Sequence, residues 1–460
     1  VQERSRWIKW IPSSMAQLAQ IESRILNCIK CSLEKRFVVL PQSQHRIWTI
    51  VANKDKPQTP LVMIHGMGGG VGLWVQSIDL LAEKRPVYAF DLLGFGRSSR
   101  PKFSSSAKLA EMEFVESIEE WRQEMKIEKM ALLGHSLGAY LASAYSLKYP
   151  EKIEHLFLID PWGFPGKPSG ENERSRRIPT WVKAIGRILS PFNPLALVRA
   201  AGPWGPGLIT RFRPDLREKF VSVFDDNTIL DYIYHCNAQT PSGEAAFRTL
   251  SHPLGYAKRP MMHRVAEIDR ELPITFIYGS KTWMDRTCGA ETVYLRNGSH
   301  VDVETIPGAG HHVYADRPES FNKIMNQYLD KMDVHSDNER KKKVALLQVK
   351  SEADLEEYPF TQVTTTTTAT TDLTSTTTSL LVNYYYYYYY YYFYYYYYYY
   401  YYHHHHHNHH HYYYYYYYLV HQNLLSMETI MRTPRVLIEP TPSGHHSLHH
   451  SDHELIFGAM

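Results

Sequence analysis

Met130-Ala-Leu-Leu-Gly134-His135-Ser136-Leu137-Gly138 runs straight into Ala139 to Leu147, a stretch rich in alanine and leucine. Its first residues are apolar and short enough for a buried strand, and those after Gly138 form helices readily. Between them lies Gly-x-Ser-x-Gly. A strand that turns into a helix this abruptly leaves no room for side chains two residues either side of the turn, and Gly134 and Gly138 meet that demand. The turn hoists the Ser136 hydroxyl above the sheet at a helix N-terminus, where a nucleophile works. The flanking strand and helix make the signal more specific than the pentapeptide, which also occurs in ordinary glycine-rich turns carrying a bystander serine.

Short apolar runs alternate with helical patterns on both sides: Leu61 to His65, Val87 to Asp91, Met130 to Gly134, Leu156 to Asp160, Ile274 to Tyr278 and Val303 to Ile306. That alternation predicts an α/β fold, a mostly parallel central sheet with helices on both faces. Phe114, Ile118, Trp121 and Met125 form one apolar stripe of a helix that packs on the sheet. Ser14-x-x-Gln17 is a capping box, opening a helix with Leu18, Ile21, Ile25 and Ile29 on one face. From Trp162 to about Asp269 the strand rhythm gives way to Pro-, Gly- and aromatic-rich helical pieces, such as Trp181 to Leu189 and Leu230 to Asn237. These read as a helical lid over the carboxyl ends of the strands, where open α/β sheets bind ligands. The chain thus divides into an N-terminal segment and helix (1–35), a first core part (36–161), the lid insertion (162–269), a second core part (270–332) and a tail (333–460).

The tail holds a threonine tract, Tyr384 to Tyr402 broken by Phe393, His403 to His411 broken by Asn408, and Tyr412 to Tyr418. None of these has the mixed period a core requires, so disorder is the expectation, and unpatterned histidine without a scaffold makes no metal site. A formal net charge of +3 over 460 residues is too small to argue for a nucleic-acid partner. The four cysteines make no disulfide framework and no zinc site, and reduced, buried thiols are expected. No apolar stretch in the globular part is long enough to span a membrane, and no secretory segment opens the chain at Val1, so a cytoplasmic placement is expected. Trp7 and Trp10, beside Arg6 and Lys9, suit contact with a membrane or droplet interface.

A serine hydroxyl at its free pKa is a poor nucleophile and needs a base, followed in chain order by an acid and a histidine. His311 in Gly308-Ala-Gly310-His311 follows the last strand run, where a tight loop aims it back over the sheet; His312 is the adjacent rival. For the acid, Asp285 follows the strand Ile274 to Tyr278, and Asp160, which runs into Pro161-Trp162-Gly163, is the runner-up. The oxyanion of an acyl transfer would take the amides of Leu137 and of Met67, the latter in His65-Gly-Met-Gly-Gly-Gly70-Val-Gly72. Those glycines lack dinucleotide spacing and no P-loop occurs, so neither a nucleotide nor any other cofactor is expected, and no metal. Asp316-Arg-Pro-Glu319 reads as a capping box before a helix from Phe321 to Leu329.

Six runs carry a resemblance: His65 to Trp74, Phe90 to Pro101, Asp160 to Phe164, Ala201 to Gly207, Tyr232-Ile-Tyr-His-Cys-Asn237 and Gly310-His-His-Val-Tyr-Ala-Asp316. In these the sequence, from roughly Arg6 to Met332, resembles the α/β-hydrolase domain-containing proteins 4 and 5. The resemblance implies the α/β-hydrolase fold and serine hydrolysis of acyl esters of (lyso)phospholipids, N-acyl phosphatidylethanolamines among them. It also implies peripheral placement on membranes or lipid droplets. The other member of the branch resembles a droplet protein that activates a triacylglycerol lipase, so that lipase or a droplet coat protein is an implied partner beside the lipid substrate. That activator carries Asn where this chain has Ser136, which favours hydrolysis here. His311-x4-Asp316 is similar to the glycerolipid acyltransferase pattern, so lysophosphatidate acyltransfer and a non-enzymatic activator role are the alternatives. Arg174, Arg176 and Arg177 would then face either a phosphate headgroup or solvent.

Overall fold

The computed structural model describes residues 13–167, 194–252 and 255–356. Trp7, Trp10, Arg174, Arg176, Arg177, the expected helix from Trp181 to Leu189, and the Thr-, Tyr- and His-rich tail lie outside the described residues.

The sheet has eight strands in the order β1-β2-β4-β3-β5-β6-β7-β8. These are β1 Leu33–Val39, β2 Arg46–Ala52, β3 Leu61–Ile64, β4 Val87–Phe90, β5 Met130–His135, β6 Ile153–Ile159, β7 Ile274–Gly279 and β8 Val301–Ile306. From β4 to β8 all neighbours are parallel, whereas β1 and β2 pair antiparallel with each other and β2 antiparallel with β4. The six apolar runs are thus all strands, and the antiparallel edge pair is an addition to the sequence expectation. Strand β1 is largely exposed and carries Lys35 and Arg36, so it lacks the continuous apolar run by which the buried strands are legible.

Side chains of a strand alternate between faces, and the core divides accordingly. Val62 and Ile64 of β3 lie in one cluster with Phe114, Ile118 and Trp121 of α2 (Ala107–Glu124) and Leu141 and Tyr145 of α3 (Leu137–Lys148). Leu61 and Met63 lie in the other, with Leu18 and Ile25 of α1 (Met15–Leu26) and Phe321, Met325 and Leu329 of a long C-terminal helix, Pro318–Glu356. Trp121 is fully buried, packs tilted against Phe90 with ring centroids 4.4 Å apart and donates its indole N–H to Thr49 Oγ1 at 2.9 Å. Removing such a side chain leaves a cavity costing about 3–5 kcal/mol.

Ser14 caps α1 as its capping box requires, accepting from the Gln17 amide at 3.2 Å. The same helix carries Glu22 into the body, where it meets Arg97 at 2.9 Å; that guanidinium lies 3.6 Å above the Trp48 ring. Burial, with Asp91 nearby, pushes the Glu22 carboxyl up from its ordinary 4.5 to about 8, although Arg97 opposes the shift. The folded chain therefore keeps a proton that the unfolded chain releases near 4.5, so this group withdraws stability as pH climbs from there to about 8. Glu22→Gln is expected to flatten that fall, read as the difference in melting temperature between pH 5 and pH 8; an unchanged difference contradicts it.

The C-terminal helix runs on through the expected boundary at 332/333, because Asp333 is tied into the body by a bidentate pair with buried Arg85 at 2.7 and 3.1 Å. Cys236 and Cys288 are buried thiols and Cys31 is half-buried, but Cys28 is exposed, contrary to expectation. No helix among the described residues is long and apolar enough to cross a membrane. Between β6 and β7 the described residues form helices, including α4 (Gly205–Phe212), α5 (Pro214–Lys219), α6 (Thr228–Asn237) and α7 (Ser242–Leu250).

Candidate active site

Strand β5 ends at His135 and α3 begins at Leu137, leaving Ser136 to make the whole turn at φ 55° and ψ −115°. A non-glycine residue pays strain for that conformation, and the surroundings hold it there. The Ser136 amide donates to Ile159 O of β6 at 3.0 Å, and its carbonyl accepts from Trp162 N at 3.2 Å. A Cβ on Gly134 would stand 2.3 Å from Gly138 O, and one on Gly138 would stand 2.4 Å from Ile64 O. Both obstacles are backbone and cannot yield. Gly138→Ala is accordingly expected to destabilise the protein by about 3 kcal/mol or more, and an unaltered thermal unfolding midpoint with full activity would contradict this.

His311 arrives from the loop after β8. Its Nε2 lies 3.0 Å from Ser136 Oγ and its Nδ1 lies 2.5 Å from Asp160 Oδ2. Asp160 is fully buried at the end of β6, and accepts from the Gly279 amide at 3.3 Å and the Thr282 hydroxyl at 2.5 Å. With carboxylate oxygens acting as acceptors, the shared proton sits on Nδ1, which leaves Nε2 lone-paired toward the serine hydroxyl. That is the tautomer of a general base.

The acid was expected at Asp285, and the structure puts Asp160 there instead. Asp285 Oδ1 accepts from the Thr287 amide at 3.1 Å and the Thr287 hydroxyl at 2.7 Å, capping the helix α8 (Thr287–Leu295). The Pro161-Trp162-Gly163 turn into the insertion and the role of Asp160 are compatible, because the turn begins one residue after the carboxylate and docks Trp162 N on the elbow. The capping box expected at Asp316 is likewise not formed. Asp316 Oδ2 accepts from Gly310 N at 2.9 Å, bracing the loop that delivers His311, and Oδ1 pairs with Lys219 Nζ of α5 at 2.7 Å.

The rival His312 makes neither bond, and burial with His135 and His311 beside it lowers its pKa well below the usual imidazole range. His135 and His65 are depressed by burial too. His135 Nε2 donates to the His311 carbonyl at 3.0 Å, and its ring lies 4.8 Å from that of His311. His65 donates Nδ1–H to Gly66 O at 2.8 Å and accepts from Leu92 N at 2.9 Å, a fixed neutral tautomer that anchors the loop after β3. Outside His311, Trp283 is largely exposed with its ring 5.1 Å away.

Of the two expected oxyanion donors, Leu137 directly follows Ser136 and Met67 belongs to the loop after β3. The Leu137 amide is the first of α3, where a helix offers no internal acceptor. The Met67 loop lies against the nucleophile: a Cβ on Gly66 would come within 3.0 Å of Ser136 Cβ. Sequence reasoning missed the supports of this loop. Asp91 accepts from Val71 N at 2.8 Å, Tyr232 Oη from Gly72 N at 3.0 Å, and Asn237 Nδ2 donates to Gly68 O at 2.8 Å. Asp91, closing the strand run Val87 to Asp91, was within reach of sequence reasoning; Tyr232 and Asn237 sit 160 or more residues away on the insertion and carry no spacing signal.

A serine on a strand-to-helix elbow of a parallel sheet, bridged by an imidazole to a carboxylate on the next strand, defines the site class of the serine hydrolases. The alpha/beta hydrolase fold family model matches residues 59–318, and the chain belongs to that family. It is 52% identical over 322 residues to the (lyso)-N-acylphosphatidylethanolamine lipase of Mus musculus, spanning 70% of this chain and 94% of that one. It is 48% identical over 337 residues to 1-acylglycerol-3-phosphate O-acyltransferase ABHD5 of Homo sapiens, spanning 72% and 96%. These are the two kinds of relative that the motifs resembled. Among solved structures, a membrane phospholipase A described as a bacterial virulence factor superposes with a TM-score of 0.50 at 20% identity, covering 69% of this chain and 91% of that one, which shows the shared fold.

Proposed function

We propose that this chain is a serine hydrolase that cleaves acyl esters of (lyso)phospholipids, with N-acyl phosphatidylethanolamine and its lyso form as the leading substrates. The observation that carries the reading is the continuous relay from Ser136 Oγ through His311 to Asp160. The substrate class comes from the 52% identical lipase relative. His311 takes the Ser136 proton as Oγ attacks the ester carbonyl, and the Leu137 and Met67 amides receive the oxyanion. His311 then protonates the departing alcohol, and a water it deprotonates releases the fatty acid. The protein acts peripherally at a lipid surface, where its substrate resides, and needs no cofactor for this chemistry.

The acyltransferase name of the other relatives raises the alternative of transfer to lysophosphatidate. The position of Asp316 supports hydrolysis: one oxygen holds Gly310 of the His311 loop and the other pairs with Lys219. Purified full-length protein given lyso-N-acyl phosphatidylethanolamine in mixed micelles is expected to release free fatty acid. Given acyl-CoA and lysophosphatidate, it is expected to make no phosphatidate. Phosphatidate formation without fatty-acid release would overturn the reading.

A further inference from the structure

The amide of Met67 can meet an oxyanion only if its loop keeps one shape. Gly66 to Gly69 form a turn closed by the Gly69 amide on the Gly66 carbonyl at 3.1 Å, with Gly68 at φ 73° in its third position. Such a turn is held at one end by that bond, but the peptide plane after Gly68 is otherwise set only by what its carbonyl finds. Here it finds Asn237 Nδ2 at 2.8 Å. The second Nδ2 proton goes to Ile233 O at 2.8 Å, one turn back along α6, so the carboxamide has no freedom to rotate. The space is filled too: a Cβ on Gly68 would lie 3.0 Å from Asn237 Oδ1.

The helix that presents Asn237 is itself fixed from outside the loop. The last carbonyls of α6 accept from guanidinium groups, Cys236 O from Arg100 at 3.0 Å and Asn237 O from Arg199 at 2.9 Å. On the α1 side, Ser13 Oγ, two residues ahead of that helix, meets His235 Nδ1 at 2.9 Å, and Arg24 pairs at 2.8 Å with Asp226, just ahead of α6. One turn earlier on the same helix, Tyr232 holds Gly72.

We infer that Asn237, a residue of the insertion, is a positioning residue for hydrolysis: by pinning the Gly68 carbonyl it aims the Met67 amide at the developing oxyanion. It touches no reacting atom and acts through the turn. The inference rests on the serine-hydrolase reading and adds that the insertion completes the oxyanion site.

The test uses full-length Asn237→Ala and Asn237→Asp, the second nearly isosteric but unable to donate to Gly68 O. Both are expected to lower kcat by on the order of 10–100-fold with KM held within about threefold, because misplacing a transition-state donor leaves ground-state binding alone. The inhibition constant of an alkyl boronic acid, which forms a tetrahedral adduct on serine, is expected to rise by the same factor as kcat falls. That of free fatty acid is expected to stay put. Should the Ala variant fail to fold, the Asp variant carries the same readings. A folded variant with wild-type kcat, or one in which KM rises while kcat and boronate affinity hold, overturns the inference alone. Wild-type protein without turnover or boronate adduct would overturn the hydrolase reading first and this inference with it.

Discussion

Ser136→Ala is expected to remove acyl-ester turnover by about 10⁵–10⁶-fold while leaving the melting temperature within a few degrees of the wild type. The loss is large because the rest of the machinery has nothing to deprotonate: His311 Nε2 would face a methyl group where it now meets Oγ at 3.0 Å. The fold should tolerate it because the elbow is fixed by main-chain bonds of residue 136 to Ile159 and Trp162, and by the close approaches around Gly134 and Gly138. Steady-state release of fatty acid from a lysophospholipid, with thermal unfolding on the same preparations, checks both halves. Appreciable turnover in the folded variant would remove Ser136 from the mechanism. An effect on a partner lipase that survives the substitution would favour the activator role instead.

Asp160→Asn is expected to cost about 10⁴-fold in kcat, and Asp285→Asn no more than a few-fold. Asn at 160 keeps the shape but offers Nδ2 or a weaker acceptor to His311 Nδ1, so the imidazole loses the bond that holds its proton on the far side from Ser136. Asp285 acts on Thr287 at the head of a helix, so its loss is expected to appear as about 0.5–2 kcal/mol of stability. The pair of variants, compared by kcat and by thermal unfolding, therefore separates the acid from the cap. Equal kcat losses at both positions would show that the carboxylate beside His311 does not act as described.

The elbow and the acid differ in how much of their placement a sequence can encode. The elbow is local: strand, glycines, serine and helix lie within one short segment, and sterics dictates each residue type there. His311 was legible because the glycines before it mark a tight loop after the last strand. The acid's position is fixed by distance in space between two loops, and both Asp160 and Asp285 lie in plausible ones. What separates them is where each carboxylate is already spent: Asp285 on Thr287, Asp160 on Gly279, Thr282 and His311. The same limit explains Asp316, whose capping-box spacing was real in the sequence but whose oxygens found Lys219 and Gly310 instead. It also explains Tyr232 and Asn237, whose contacts with the glycine loop exist only once the insertion is docked.

The sheet was legible for a complementary reason. Strands buried on both faces must be largely apolar, so β3 to β7 announce themselves, whereas β1, with four exposed residues in sequence, announces only an edge. Strand β8 sits at the other edge and is only partly buried, so only Val303 to Ile306 read as an apolar run.

We propose Ser136 as the nucleophile, made reactive by His311. Incubating the full-length protein with a fluorophosphonate and mapping the adduct by peptide mass spectrometry tests it most directly. One adduct is expected, on the peptide bearing Ser136, and it is lost in His311→Ala. An adduct on another residue, or labelling of Ser136 that is unaffected by removal of the imidazole, would contradict it.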